Sequence, residues 1–363
     1  MKPIPSFSPA RWDTVRDRYV AWWHGRLSRP LLHVQIHGLD PGFPRPDGPF
    51  YGALSSYPLE YPMERILAQW HYQLCATRYL GDGYPTVLPD FGAGVNAAFC
   101  GARHEARPET VWFFADGAVD LETFHLVHHP DNPVWQRVCA FYREADAYFG
   151  GAVLLGMTHL NNGIDIPAHF FDGVELCMAL YDQPEAVERL IWENHSLLLY
   201  YIDALSALMP HNPGYTCWGD IYAPEPWMGA QCDFCAMIGP EQFDRFVLPE
   251  LRACFAHAPA YNFYHLDGRE ELIHLPKLLA IQQLQTVQWV PGVDTRPDRE
   301  WHPLYREIRA AGKKLWYTGG EEDLERLADA LGTLAGIYWR ADGGPQDADR
   351  LCRLLERLGV PVE

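Results

Sequence analysis

The stretch Tyr261-Asn262-Phe263-Tyr264-His265-Leu266-Asp267-Gly268 opens a beat that the chain keeps to its end: a short apolar run, a polar strand end, then a helix-period segment. The runs Tyr261 to Leu266, Thr286 to Val290, Lys314 to Thr318 and Gly336 to Arg340 read as strands. Arg269 to Leu279 and the segments beginning at Trp301, Glu321 and Pro345 read as the intervening helices. Such a beat calls for a parallel sheet wrapped by helices, as a barrel or as a doubly wound sheet.

Working outward, Leu31 to His37, Gly151 to Leu160 and Tyr215 to Ile221 add three more strands, and residues 84 to 90 supply the eighth. Residues 111 to 127 suit an added hairpin. Ser8-Pro9 has the form of an N-cap followed by proline at the first helical position, opening a helix to about Arg26. Gly239-Pro240-Glu241 starts another that runs to about Ala256. Residues 38 to 62, dense in proline and glycine, read as a long ordered loop or cap.

No Gly-x-Gly-x-x-Gly turn follows an early strand and no phosphate-binding Gly-x-x-x-x-Gly-Lys-Ser/Thr loop occurs. A doubly wound nucleotide-binding fold is therefore disfavoured, and no nucleotide cofactor is expected. The expectation is an α/β chain of one domain, residues 1–363, folded as a (β/α)8 TIM barrel with an N-terminal helical and loop extension over 1–62.

Composition narrows the function. With 29 basic against 47 acidic side chains, the net charge of −18 repels nucleic acid and anionic membranes. The N-terminus lacks a signal-peptide pattern and no run is long enough to span a bilayer. Nine cysteines without framework spacing suit a reducing, cytoplasmic compartment. Cys232-Asp233-Phe234-Cys235 has metal or redox spacing but lacks a second pair, which leaves Asp233 as its more telling residue. Aromatic residues make up 13% of the chain, enough to fill a bulky core and also to line a pocket for a flat or sugar-like ligand. Neither a serine-hydrolase elbow nor a zincin helix is present.

In a barrel, polar residues at the strand ends converge on one mouth. Here those ends carry His37, Asp90, His159 with Asn161 and Asn162, Trp218 with Asp220, His265 with Asp267, Trp289 with Asp294, Tyr317, and Arg340 with Asp342. His265 and Asp267 are two apart on one strand and face the same side, where such a pair binds a divalent metal or works as an acid/base couple. Each of these residues also has an ordinary reading as a strand-end cap or loop hydrogen-bonder.

Three stretches together resemble the uroporphyrinogen decarboxylase superfamily, which includes the methylcobamide:thiol methyltransferases. They are Asp165-Ile166-Pro167-Ala168 through Asp182-Gln183-Pro184-Glu185-Ala186-Val187; Asp233 with Ile238-Gly239-Pro240-Glu241-Gln242-Phe243 and Val247-Leu248-Pro249; and His265-Leu266-Asp267-Gly268. The resemblance spans roughly residues 60 to 360 and implies a TIM barrel with substrate at its C-terminal mouth. The segment Ser28-Arg29-Pro30-Leu31-Leu32-His33 lacks the arginine pattern that binds porphyrinogen carboxylates, so heme synthesis is not expected.

The methyltransferase branch holds zinc through His-x-Cys and a later Cys. Carried onto this chain, those positions fall on His265, Asp267 and Asp342, turning a soft site into a hard one that admits zinc or a harder divalent ion. The alternative is that the metal site has decayed into acid/base residues.

The resemblance thus implies a metal-assisted methyl or other group transferase acting on a small polar substrate, with a corrinoid carried by a partner protein. His265, Asp267 and Asp233 would be catalytic. His159, Asn161, Asn162, Trp218, Asp220, Trp289, Tyr317 and Arg340 would bind substrate. The alternatives are decarboxylation of a porphyrinogen or smaller carboxylate, and a non-catalytic small-ligand barrel. A homodimer is compatible with any of them.

Overall fold

The computed structural model describes residues 2–107, 110–294 and 296–363. In chain order its strands are β1 Leu31–Ile36, β2 Arg78–Gly81, β3 Thr86–Val87, β4 Arg103–Ala106, β5 Val111–Phe114, β6 Leu154–Leu155, β7 Met228–Ala230, β8 Asn262–Asp267, β9 Thr286–Val290, β10 Lys314–Tyr317 and β11 Ile337–Gly343. The helices are α1 Arg11–Trp23, α2 Met63–Cys75, α3 Val95–Phe99, α4 Pro133–Phe149, α5 Gly173–Asp182, α6 Pro184–Ser206, α7 Pro240–Gln242, α8 Leu248–His257, α9 Leu275–Leu279, α10 His302–Ala310, α11 Glu321–Leu331 and α12 Ala348–Arg357. Among the described residues no helix is long and apolar enough to cross a membrane.

The main sheet has seven strands in the order β2-β1-β11-β10-β9-β8-β7. Every neighbouring pair from β1 to β7 is parallel, and β2 joins β1 antiparallel. β3 and β6 form a separate parallel pair, while β4 and β5 make an antiparallel hairpin. The chain is therefore an α/β protein built on a largely parallel sheet. A continuous eight-stranded ladder is not formed among the described residues.

The break falls at Tyr215 to Ile221, which is a turn rather than the expected strand. Tyr215 makes a lone antiparallel bridge to Ala223, and the Met157 amide donates to the Thr216 carbonyl at 2.7 Å. The cause is local. Asp220 takes φ 49°, and a Cβ on Gly219 would stand 2.4 Å from the Trp316 ring, so this segment bends to let the indole through. The short strand β7 takes its place beside β8. The hairpin also lies further upstream than the expected 111 to 127.

Helix punctuation is close to that expected. Ser8 and Pro9 form a turn that precedes α1 rather than its first residues, accepting from the Arg11 and Trp12 amides. The helix from Gly239 is continuous to His257, but it widens over Phe243–Val247 into a turn of π type. Pro249 explains the widening, because its ring excludes a normal turn against the carbonyl four residues earlier. The Pro/Gly-rich loop is ordered by a buried side chain beneath it: Gln69 Nε2 donates to the carbonyls of Pro46 at 2.7 Å and Gly48 at 3.0 Å.

Strand alternation sorts the core into two layers. On the inner side Phe263, Trp316 and Tyr338 pack edge to face in succession, with Phe263 and Trp316 5.2 Å apart and Trp316 and Tyr338 5.9 Å apart. On the outer side Trp289 meets Trp301 and Tyr317 meets Tyr305 under α10.

The start of β1 is fixed by a carboxylate with no exposed surface. Arg29 grips Asp82 through two hydrogen bonds of 2.7 and 2.8 Å, and the Leu32 amide donates to the same carboxylate at 2.9 Å. Arg18 of α1 reaches it at 3.4 Å. Helix, first strand and the turn after β2 are thereby held at one point. Breaking a buried pair from one side strands the other charge, at a cost of about 3–5 kcal/mol. Asp82→Ala is expected to lower the stability measured by urea unfolding by that amount with an unchanged m-value; a loss below about 1 kcal/mol would remove the clamp from this account.

Candidate functional site

β8 directs Phe263, His265 and Asp267 to the inner side, with the last two at its C-terminal end. His265 Nδ1 donates to Gln288 Oε1 at 2.6 Å, which leaves Nε2 facing Asp267 Oδ2 at 3.8 Å. Burial alone would lower the pKa of this imidazole. The nearby Asp267 carboxylate and the hydrogen bond to Gln288, together with the negative charge of Asp233, outweigh that and raise it above the ordinary value. The second carboxylate oxygen of Asp267 is buried without a partner, so the dyad keeps an acceptor in reserve.

Gln231, just beyond β7, joins the other expected residues. Its amide nitrogen donates to Asp233 Oδ2 at 3.1 Å, and its oxygen accepts from His159 Nε2 at 3.0 Å. His159 lies flat on Trp218, 3.9 Å between ring centroids at 21°. Its burial pushes the pKa down to about 4, so it is neutral and donates. Trp218 turns its edge toward His265 at 6.4 Å. His159, Trp218, Asp233, His265 and Asp267 thus gather at one mouth.

Beneath them lie two acids that the sequence reading did not single out. Asp165 accepts the amides of Asp233 and Phe234 at 3.0 Å each and so sets the turn carrying Asp233; burial and the Asp233 charge raise its pKa to about 7. Glu271 is buried under Asp267 with Tyr264 Oη 3.4 Å away, and burial pushes it up to about 11, which makes it a neutral acid. Asp165 stood in a motif quoted for the family resemblance. Glu271, Gln231 and Gln288 offered no motif at all.

A second group adjoins the first. Arg340 on β11 pairs with Asp220 and, at 3.1 Å, with Asp342, while His37 reaches Asp342 at 3.0 Å. The contacts of His37 and Arg340 hold Asp342 at about 2, although burial acts in the opposite sense. Beside this group is a cavity of about 370 Å³ walled by Phe50, Trp70, Tyr79 and Trp218, with Gln35 and Arg340 at its polar side. Gln35 is fixed through His33, which burial pushes down to about 3 and which accepts from Gln35 Nε2 at 2.7 Å.

Several expectations need correction. The three-ligand set His265, Asp267 and Asp342 does not assemble, because Asp342 is committed to a guanidinium and an imidazole that compete directly with a cation. These residues do not fit the implied metal. Trp289 and Tyr317 do not reach the mouth, since alternation turns both outward against α10, where each is only 1% exposed. Asn162 spends its amide internally, donating to Glu250 at 2.9 Å and accepting from the Gln231 amide at 3.0 Å. Asn161 is buried with an unpartnered side-chain oxygen, and its backbone is held by Asn96.

Among the described residues, one group of three His, Cys, Asp or Glu side chains brings its ligand atoms within 4.8 Å of one another: His195, Glu250 and Cys254. It lies between α6 and α8, and could hold a metal ion. Cys232 and Cys235, the expected CxxC pair, are both buried and form no such group.

No family model matches the chain, and no curated protein matches it in sequence. A solved structure does match in shape. The methyltransferase from Methanosarcina mazei superposes with a TM-score of 0.58 over 91% of this chain and 93% of its own, at 10% identity. The likeness is one of fold: this chain shares the architecture of that methyltransferase.

Proposed function

We propose that the strand ends act as one barrel mouth at which a methyl or similar group is transferred to a small, largely neutral substrate held in the aromatic cavity. The observation that carries this reading is His265. Its Nδ1 is anchored on Gln288, its Nε2 is directed to the mouth, and two carboxylates, Asp267 and Asp233, support its cation. That is the arrangement a general base needs. The shared architecture of the Methanosarcina mazei methyltransferase supports group transfer as the reaction class.

In this reading a corrinoid on a partner protein supplies the methyl group. The bond between donor and methyl breaks with its electron pair staying on the donor, and the acceptor's lone pair forms the new bond to carbon. The acceptor's proton passes to His265 Nε2, and Asp267 stabilises the imidazolium that results. Trp218 forms one wall shared by the mouth and the cavity, so a ligand seated against Phe50 and Trp70 extends toward His265. Decarboxylation of an anionic substrate is less well served. Arg340 is already shared by Asp220 and Asp342, and Arg269 pairs with Asp294 at 3.4 Å.

The purified chain should be incubated with methylcobalamin and a panel of small thiol, phenol and amine acceptors, with mass spectrometry reading methylated product. Product that disappears in His265→Ala supports the proposal, with a loss of about 10²–10⁴ in rate. No product from any acceptor class sinks it.

The pH profile adds a second expectation. Protonated His265 cannot accept a proton, so the rate should fall as pH drops through a pKa above the ordinary value of about 6.5. Asp267→Asn removes one of the anions that hold this pKa up, and the acid limb should move to lower pH. Trp70→Ala, which alters only the cavity wall, should raise KM by roughly ten- to hundredfold with little change in kcat.

A further inference from the structure

Glu250 is 1% exposed and lies on α8, where Cys254 follows it one turn later on the same face. His195 faces both from α6. Its Nδ1 stands 3.0 Å from Glu250 Oε1 and 3.6 Å from Cys254 Sγ, and the sulfur is 2.9 Å from the same carboxylate oxygen. Three donors of different softness, nitrogen, oxygen and sulfur, therefore converge on one point inside a helix pair.

Among the described residues Glu250 has no lysine or arginine within salt-bridge distance, and His195 is its one ionisable basic neighbour. Cys254 is fully buried. A divalent ion that displaces the thiol proton would face one thiolate, one carboxylate and one neutral imidazole, and the sum of charges would be zero. Tetrahedral zinc with Zn–S of about 2.3 Å and Zn–N or Zn–O of about 2.0 Å needs ligand atoms roughly 3.3–3.5 Å apart. The nitrogen and sulfur, 3.6 Å apart, already stand near that separation, the nitrogen and oxygen at 3.0 Å need about 0.3 Å more, and the sulfur and oxygen at 2.9 Å must part by about 0.6 Å.

The surroundings leave the carboxylate in place for this. Its other oxygen accepts from Asn162 Nδ2 at 2.9 Å, the second contact a metal-bound carboxylate commonly has. Gly163, with φ +57°, passes close enough that a Cβ there would lie 3.3 Å from that oxygen. His195 retains 12% side-chain exposure, which gives an ion and a fourth, water ligand a way in.

From this geometry we infer that His195, Glu250 and Cys254 form a binding site for a zinc-class divalent ion, separate from the His265 mouth and cross-linking α6 to α8. The site does not depend on the proposed transferase reading. Sulfur with imidazole selects zinc or cobalt over magnesium and calcium.

Metal-stripped full-length protein should be titrated with Co2+ and followed by absorption, and zinc should be measured in the protein as isolated. The expected result is one ion per chain with a near-ultraviolet thiolate-to-cobalt band that zinc abolishes. Cys254→Ala should lose the band and bind more than about tenfold more weakly, while His265→Ala should keep both. A wild-type titration without a thiolate band would overturn the site even if every variant misfolds. Metal that survives Cys254→Ala but is lost in His265→Ala would place the ion at the mouth instead and equally overturn it.

Discussion

A β-strand can send only every second side chain to one face, and most of the chemistry in this molecule follows from the phase that each strand adopts. β8 sends Phe263, His265 and Asp267 inward; β11 sends Tyr338, Arg340 and Asp342. Read from the base of the sheet upward, the inward positions pass from aromatic to amide or cationic to carboxylate. The aromatic level is the packed interior, with Phe263, Trp316 and Tyr338 in sequence. The upper levels hold His265 with Gln288 on β8 and β9 and, beyond β10, Arg340 with Asp342 on β11. Residues one step out of phase serve the opposite layer however polar or aromatic they are.

Charge is the second constraint. The chain carries a net −18, and the mouth is no exception. Glu271 escapes by holding a proton, Asp165 is offset by the two backbone amides that donate to it, and Asp342 and Asp220 share Arg340. That leaves Asp233 and Asp267 with one imidazole between them. Such an arrangement favours the cationic form of His265, the form that the proposed base would take on accepting a proton. In the proposed reading, the same local excess of carboxylates and the acidic composition both favour a neutral or cationic guest over an anionic one.

How much of this was legible in the chain depends on what each feature needed. The strand, helix and strand beat after residue 260 needs only local periodicity, and β8 to β11 fall where it places them. His265 and Asp267 were readable because a His-x-Asp spacing on a strand fixes their common side. Trp289 and Tyr317 misled because a strand end identifies a level but not a phase, and one residue of phase moves a ring from the mouth to the helix layer. The Tyr215 to Ile221 segment failed as a strand because its bend answers to the Trp316 ring, a neighbour almost a hundred residues away. Gln231 and Gln288 were invisible for another reason: an uncharged amide becomes functional only through the partners that the fold gives it.

His195, Glu250 and Cys254 show the same limit from the helical side. Their spacing matches no metal motif, since two ligands lie one turn apart on α8 and the third comes from α6. What brings them together is the packing of two helices, one of which is widened over Phe243–Val247 ahead of Pro249. An extra residue in that turn rotates everything beyond it by about 100° and so decides which face of α8 meets α6. The consequence reaches the mouth through neutral groups: Glu250 holds Asn162, Asn162 holds the Gln231 backbone, and Gln231 holds both His159 and Asp233. Whatever fixes the orientation of Glu250 therefore also fixes the first link in the chain that positions Asp233 opposite His265.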